Sequence, residues 1–151
     1  MVSICDLIFQ IMEYTKKYKT KDEHIDVQDI MDGLYYPFYM EECRHSYIRE
    51  VLGFDFEKEA ANGIFMVLSK YTIQFVRSLK RGDEFIVTCE VLRDKNISTL
   101  LHFKQSIVLN GKVMTKGVFS GTCIPAKGGR PFLPSNLTEQ LSEVPYLDVE
   151  G

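Results

Sequence analysis

The sequence lacks the features of a membrane, secreted or nucleic-acid-binding protein. No apolar run reaches the roughly 20 residues that a membrane-spanning helix needs. The formal net charge is −3, so no basic field favours nucleic acid or an anionic membrane surface, and we expect neither as a partner. The apolar start, residues 1–12, has no basic beginning and no small-residue cleavage site. We therefore do not predict a signal peptide.

Metal-binding and disulfide patterns are also missing. The four cysteines are scattered and form no CxxC pair, which favours free, mostly buried thiols in a reducing compartment. His45 and His102 have no partners at ligand spacing, so we predict no metal and no cofactor. With 151 residues, 45% of them hydrophobic, the chain fits a single cytoplasmic domain, residues 1–151, with a proper core.

Two segments have apolar residues at helical spacing. Residues 2–12 indicate a short N-terminal helix. A longer helix is predicted from Pro37 to about Leu52, with Gly53 where a C-cap glycine belongs. Residues 14–20, between these segments, have the pattern of a strand whose lysines face water.

The remainder is mostly strand. Residues 64–79 alternate, and the predicted strands that follow are 85–91, 99–109 and 112–124. Asn110-Gly111 predicts a tight hairpin turn. An irregular tail starts at residue 125, with a weaker helix over 137–141. We expect the last four strands to form a meander and the long helix to cover its apolar face. One face of the first of these strands should carry Phe65, Val67, Ser69, Tyr71, Ile73 and Phe75.

The stretch HIDVQDIMDGLYY at 24–36, followed by MEECR at 40–44 and Leu52-Gly53, resembles the hotdog fold. The branch is that of the 4-hydroxybenzoyl-CoA-type acyl thioesterases, which have an aspartate at the end of strand one. A tyrosine follows ten positions later, and a Glu-Glu-Ala-Arg-like helix ends in Leu-Gly. Asp26 to Tyr36 matches that spacing without a gap. The family's Gly-His and Asn-Asn pairs are Asp29-Ile30 and Asp32-Gly33 here.

The resemblance covers roughly residues 14–141 and implies an α+β hotdog fold, a five-stranded antiparallel sheet wrapped around one long central helix. It implies a thioesterase acting on acyl-CoA or acyl-carrier-protein. Thioester hydrolysis needs a delivered nucleophile and donors for the developing oxyanion. By resemblance, Asp26 is the catalytic carboxylate, as general base or nucleophile, and the Gly33 backbone amide is the oxyanion donor.

Other residues remain open as candidates. Asp29 takes the role of Asp26 if the loop is shifted by three residues, and Glu41 or Glu42 could supply the acid from the helix. His24 could tune Asp26, because side chains two apart share a face of a strand. For substrate binding we expect an aromatic lining for the acyl tail and a basic residue for the phosphates of coenzyme A. These residues are Tyr35, Tyr36, Phe38 and Arg130.

The resemblance also implies a homodimer that assembles into a homotetramer, with sites built from both chains. Two other functions compete with hydrolysis. One is a non-catalytic hotdog module that binds acyl chains or proteins, which the unusual turn at 29–33 keeps open. The other is a hotdog dehydratase or hydratase, in which His24 would have to be the catalytic histidine.

Overall fold

The computed structural model describes residues 14–148, so the helix predicted over residues 2–12 lies outside the described part. The elements follow one another in this order: β1 (Tyr14–Lys19), α1 (Tyr35–Glu50), α2 (Phe56–Ala61), β2 (Ile64–Phe75), β3 (Glu84–Arg93), β4 (Leu101–Leu109), β5 (Lys112–Pro125) and α3 (Ser135–Thr138). Short 3-10 turns form at Asp22–His24 and Glu139–Leu141.

The five strands form one antiparallel sheet in the order β1-β3-β4-β5-β2. Helix α1 packs on one face of it and gives the core Met40, Cys43 and Tyr47, which meet sheet residues such as Val87 and Ile107. The predicted α+β hotdog arrangement, one long helix against five strands, is confirmed. Within the described residues, no helix has the length and apolar character needed to cross a membrane.

The predicted four-strand meander is wrong. Strands β3, β4 and β5 are consecutive neighbours, but β2 pairs with β5 instead of β3. The reason is that β1 already occupies the open edge of β3, which leaves β2 the far edge of the sheet. Residues 76–83 carry the chain across, and the amides of Val76 and Arg77 both donate to the carbonyl of Met114. Strand β2 consequently ends at Phe75, not at residue 79.

Strand β2 also breaks the predicted alternation. Leu68 pairs with Gly121 and Lys70 with Ser120, so Ser69 is an extra residue in a β-bulge. A bulge changes the phase of the residues after it. The predicted set therefore divides between the two faces: Tyr71, Ile73 and Phe75 face α1, whereas Phe65 and Val67 face away from it.

Helix α1 begins two residues before Pro37, because Asp32 supplies the capping acceptors. Its carboxylate accepts from the Leu34 amide at 2.9 Å, and its carbonyl accepts from the Tyr35 amide at 3.0 Å. Proline fits the first turn, where its missing N–H has no helical partner to lose. The helix ends at Glu50, and Gly53 follows with a φ of 69°, as expected for a glycine after a helix end.

The chain after β5 has the predicted form, an irregular segment followed by a short helix. Residues 126–134 have no regular structure, but the helical turns over 135–141 confirm the predicted helix, and Leu137 and Leu141 are buried in the core. The thiols of Cys43, Cys89 and Cys123 are free and buried, as predicted, while Cys5 lies outside the described residues.

Candidate functional site

The loop between β1 and α1 folds as a miniature hairpin. The Asp26 amide donates to the Ile30 carbonyl at 2.8 Å, and the Asp32 amide donates to the His24 carbonyl at 2.9 Å. Asp29, at the tip, has a φ of 64°, a left-handed conformation that aspartate tolerates better than most residues. Asp26 therefore does not end strand one as expected, because the 3-10 turn Asp22–His24 stops the pairing of β1 first.

Asp26 is half-buried in this hairpin. Its Oδ1 accepts from the Gln28 amide at 2.8 Å, and its Oδ2 has no partner within residues 14–148. The phenol of Tyr36 lies within electrostatic reach. Burial chiefly raises the pKa of Tyr36, and the negative charge of Asp26 raises it further. Asp26 thus keeps one carboxylate oxygen available beside the start of α1.

Gly33 lies at the entry to α1. Asp32 takes the amides of Leu34 and Tyr35, but the Gly33 amide donates to no acceptor in the described part of the chain. Its position is exposed. An available N–H at a helix N-terminus favours negative charge, because the helix dipole points its positive end there. The Gly33 amide can therefore stabilise an oxyanion formed above the loop.

Three of the competing acids, Asp29, Asp32 and Glu42, are engaged elsewhere, whereas Glu41 is exposed. Asp29 forms an ion pair with Arg81, Oδ1 to Nη2, at 3.5 Å, and Asp32 caps α1. Glu42 accepts from Lys16 Nζ at 3.0 Å and from the Tyr18 hydroxyl, so it faces β1. Glu41 lies on the other side of α1, facing the open edge of the sheet.

His24 does not pair with Asp26. It is buried, its ring stacks on Tyr35 with centroids 3.8 Å apart, and its Nδ1 lies 2.9 Å from the Tyr39 hydroxyl. Sequence reasoning placed His24 and Asp26 on one face of a strand. The 3-10 turn at this point removes that relation and directs the imidazole into the aromatic cluster at the start of α1.

The aromatic residues predicted to bind substrate fall into two groups. Tyr36 is only 3% exposed and its hydroxyl accepts from the Leu79 amide at 2.9 Å, so it belongs to the core. Tyr35 and Phe38 instead line a groove of about 340 Å³ between α1 and β2. Its other lining residues are Leu34, Pro37, Glu41, Arg44, Leu68, Tyr71 and Phe119.

Arg130 lies far from this loop within one chain. The tail that carries it is anchored beside the start of β2, where the Ala126 amide donates to the Gly63 carbonyl. Gly33 lies at the other end of β2, because a Cβ built on it would stand 3.8 Å from the Phe75 ring. At about 3.3 Å per residue, the ends of a strand of 12 residues are roughly 36 Å apart.

Sequence reasoning missed Arg44. This residue of α1 is 4% exposed, its guanidinium lies 4.3 Å from the centroid of the Phe119 ring, and its Nη1 donates to Gln105 Oε1 at 2.9 Å. Burial lowers the pKa of Arg44 below its ordinary value. Arg44 is four residues after Met40 and three before Tyr47, which are buried on the same helix, and this spacing could have indicated that Arg44 is buried too.

Comparisons with known proteins agree with this architecture. Residues 20–143 match the model of the thioesterase-like superfamily. The chloroplastic acyl-acyl carrier protein thioesterase ATL3 of Arabidopsis thaliana is 26% identical over 73 residues, which are 48% of this chain and 38% of that protein. The matched part thus spans about two fifths of the relative's length.

Two solved structures show the same fold. One is a DHNA-CoA thioesterase from Staphylococcus aureus, with a TM-score of 0.71 and 19% identity over 80% of each chain. The other is Slr0204, a 1,4-dihydroxy-2-naphthoyl-CoA thioesterase from Synechocystis, with a TM-score of 0.75 and 13% identity over 87% of this chain and 96% of that one. The fold predicted from the sequence is confirmed, and so is the resemblance to hotdog thioesterases. With more than three quarters of its length matched by the family model, this chain belongs to the thioesterase-like superfamily.

Proposed function

We propose that this chain hydrolyses the thioester of an acyl-CoA or acyl-carrier protein to a free carboxylic acid and a thiol. The observation that carries the proposal is that one loop holds a carboxylate oxygen of Asp26 and a backbone amide of Gly33, neither of which has a hydrogen-bond partner among residues 14–148. Membership of the thioesterase-like superfamily supports the same reaction. One similar solved structure is named as a CoA thioesterase and one relative as an acyl-acyl carrier protein thioesterase, so both thiol carriers are candidates here.

Asp26 has two possible roles in this reaction. As a general base it takes a proton from water as the water oxygen attacks the thioester carbonyl carbon; the C–S bond then breaks, and the thiolate leaves and takes up that proton. As a nucleophile it attacks that carbon itself, the C–S bond breaks, the thiolate leaves, and water then hydrolyses the mixed anhydride. In both routes negative charge develops on the carbonyl oxygen, and the Gly33 amide at the positive end of α1 stabilises it.

A second copy of the chain would complete the site. Strand β2 has an open edge, and Phe65, Leu68, Tyr71 and Phe75 along it are exposed apolar residues. Such an edge favours pairing with another strand. Two β2 strands paired antiparallel about a two-fold axis would bring the Arg130 end of one copy to the Gly33 end of the other. This supports a role for Arg130 in holding the phosphates of coenzyme A, and a dimer that could assemble further to a tetramer.

The test is a thiol-release assay on acyl-CoA and acyl-carrier-protein substrates of several chain lengths. We expect Asp26→Asn to lower turnover by about 10²–10⁴, the range typical of a positioned acid or base. Asp22→Asn is the matched control, because this exposed aspartate lies in the same segment and its carboxylate pairs with Arg81. Normal activity in Asp26→Asn with loss in Asp29→Asn would move the site to Asp29.

The competing functions predict different results. A binding module would retain acyl ligands but release no thiol from any substrate. For a dehydratase, His24→Gln would abolish hydration of an enoyl thioester. His24 is buried and bonded to Tyr39, so the structure does not favour that role.

A further inference from the structure

One face of α1 forms a track from the proposed oxyanion site to Arg44. Leu34, Phe38, Glu41 and Arg44 follow at spacings of three or four residues, so they share a side of the helix, and all four line the groove toward β2. Arg44 is 11 positions after Gly33, which is about 16 Å along a helix at 1.5 Å per residue. An acyl chain held at Gly33 and directed along this face would pass Leu34, Phe38 and the carboxylate of Glu41 before it reached the cation of Arg44.

The guanidinium of Arg44 has spare hydrogen-bonding capacity. It carries five N–H donors, and its described hydrogen bond is the one from Nη1 to Gln105. The nearest carboxylate, Glu41, is 3.9 Å from Nη2 and is more than half exposed, so it compensates the buried charge weakly. A carboxylate that reaches the guanidinium itself would stabilise this cation more strongly than Glu41 does, because the guanidinium fork matches a carboxylate with two parallel hydrogen bonds.

We propose that Arg44 is a specificity-determining residue that binds a carboxylate at the far end of the acyl group. The preferred substrates are then thioesters of dicarboxylic acids, with one carboxyl in the thioester and the other free. The inference rests on the proposed hydrolase and adds a substrate class to it. The apolar track of Leu34, Phe38 and Tyr71 holds the methylene chain, and Arg44 offsets the cost of desolvating the terminal charge.

The test compares pairs of acyl-CoA substrates that have equal chain length and differ only at the far end. Dodecanedioyl-CoA and lauroyl-CoA are long enough to approach Arg44, whereas succinyl-CoA and butyryl-CoA are too short. We expect kcat/KM to be about tenfold to hundredfold higher for dodecanedioyl-CoA than for lauroyl-CoA, as for a charge-assisted hydrogen bond. The short pair should show no such preference.

The variants separate binding from folding. Arg44→Met should bring the long-pair ratio to one or below, because the cation is lost while an apolar side chain of similar length remains. Arg44→Lys should keep part of the preference. The matched control is Arg49→Met, an exposed position of the same helix, which should leave the ratio at the wild-type value. A general structural defect lowers both rates together, whereas the ratio within one variant reports recognition.

The two proposals fail in different ways. A wild-type protein that hydrolyses lauroyl-CoA as fast as dodecanedioyl-CoA, or faster, overturns the carboxylate site and leaves the hydrolase intact. The same is true if Arg44→Met keeps the wild-type preference. Should Arg44→Met not fold, the wild-type ratios of the long and short pairs decide alone. Absence of thiol release from every substrate overturns the proposed hydrolase itself.

Discussion

Asp26 and Asp94 share their local geometry, but they differ in the hydrogen-bond partner of the second carboxylate oxygen. Each accepts an amide from two residues further on, Gln28 at 2.8 Å and Asn96 at 3.0 Å. In Asp94 the other oxygen contacts His102 Nε2 at 2.8 Å, and His102 Nδ1 in turn lies 2.7 Å from Ser120 Oγ. In Asp26 the other oxygen has no partner within the described residues. We therefore expect Asp94, whose two oxygens both have partners, to stabilise the fold, and Asp26 to be available for chemistry.

Ser120, His102 and Asp94 are the residue types of a hydrolase triad, but a substrate could not reach the serine. Ser120 is only 1% exposed, and the pairing Tyr71–Phe119 and Lys70–Ser120 places its side chain on the sheet face away from α1. A nucleophile must reach its substrate, so we assign this network to stability.

The largest expected effect is that substitution of Asp26 changes turnover and not stability, whereas substitution of Asp94 changes stability and not turnover. Asp26→Asn should lower thioesterase turnover by about 10²–10⁴ with little change in the urea midpoint of unfolding. Asp94→Asn should lower the urea midpoint and leave turnover within a few-fold of wild type. Loss of turnover in folded Asp94→Asn, or a large drop in stability in Asp26→Asn, would contradict these roles of the two aspartates.

The next largest expected effect is a loss of stability on substitution of Ser120. Ser120→Ala removes the hydroxyl that meets His102 Nδ1 and leaves a buried ring nitrogen without its partner, which should lower the free energy of unfolding by about 1–3 kcal/mol. The activity of the folded fraction should stay near that of wild type. Denaturant unfolding combined with the thiol-release assay measures both quantities. If Ser120→Ala instead abolishes turnover while remaining folded, the network is catalytic.

The pH dependence of stability should reflect the same network. The hydrogen bond from His102, helped by the amides of Asn96 and Ile97, lowers the pKa of Asp94 from 3.8 to about 2. A carboxyl with a lowered folded-state pKa contributes stability that is present above its unfolded value and is lost as the pH falls through the folded value. Unfolding free energy should therefore decline between about pH 4 and pH 2, and less so in His102→Asn. Equal slopes in both proteins would count against this linkage.

The sequence predicted the elements better than their neighbours. Helix α1 and all five strands were predicted from the sequence pattern, and the Asp26 to Tyr36 spacing pointed to the site loop. The position of β2 in the sheet depends on which sheet edge is free. Which of its side chains face α1 depends on the bulge at Ser69, and only the tertiary strand pairing determines that bulge. Helix α2 was missed although Asp55 is a recognisable N-cap that accepts from the Glu57 and Lys58 amides.

The candidate site was predictable to a similar extent. The acid and the glycine came from the resemblance, whereas the ion pair of Asp29 with Arg81, 52 residues later, depends on the tertiary fold. Arg44 was missed because an arginine on a helix is usually solvated, and the face it occupies becomes clear only once β2 and Phe119 are in place. Within one chain Arg130 lies at the end of β2 opposite the site loop, so its proposed role depends on the proposed dimer.

The smallest expected effect concerns Asp32, a third aspartate with the same local pattern. Its carboxylate accepts from the Leu34 amide two residues on, so it caps α1 next to Gly33. Asp32→Ala should lower the free energy of unfolding by about 1 kcal/mol, the usual cost of a lost N-cap. It should also lower turnover several-fold, because the amide of Gly33 is then held less firmly. Asp32→Ser keeps a capping oxygen and should recover most of both losses. If the serine variant is as slow as the alanine variant, the negative charge of Asp32 contributes to the reaction itself, and the assignment of Asp26 as the sole acid of the loop is wrong.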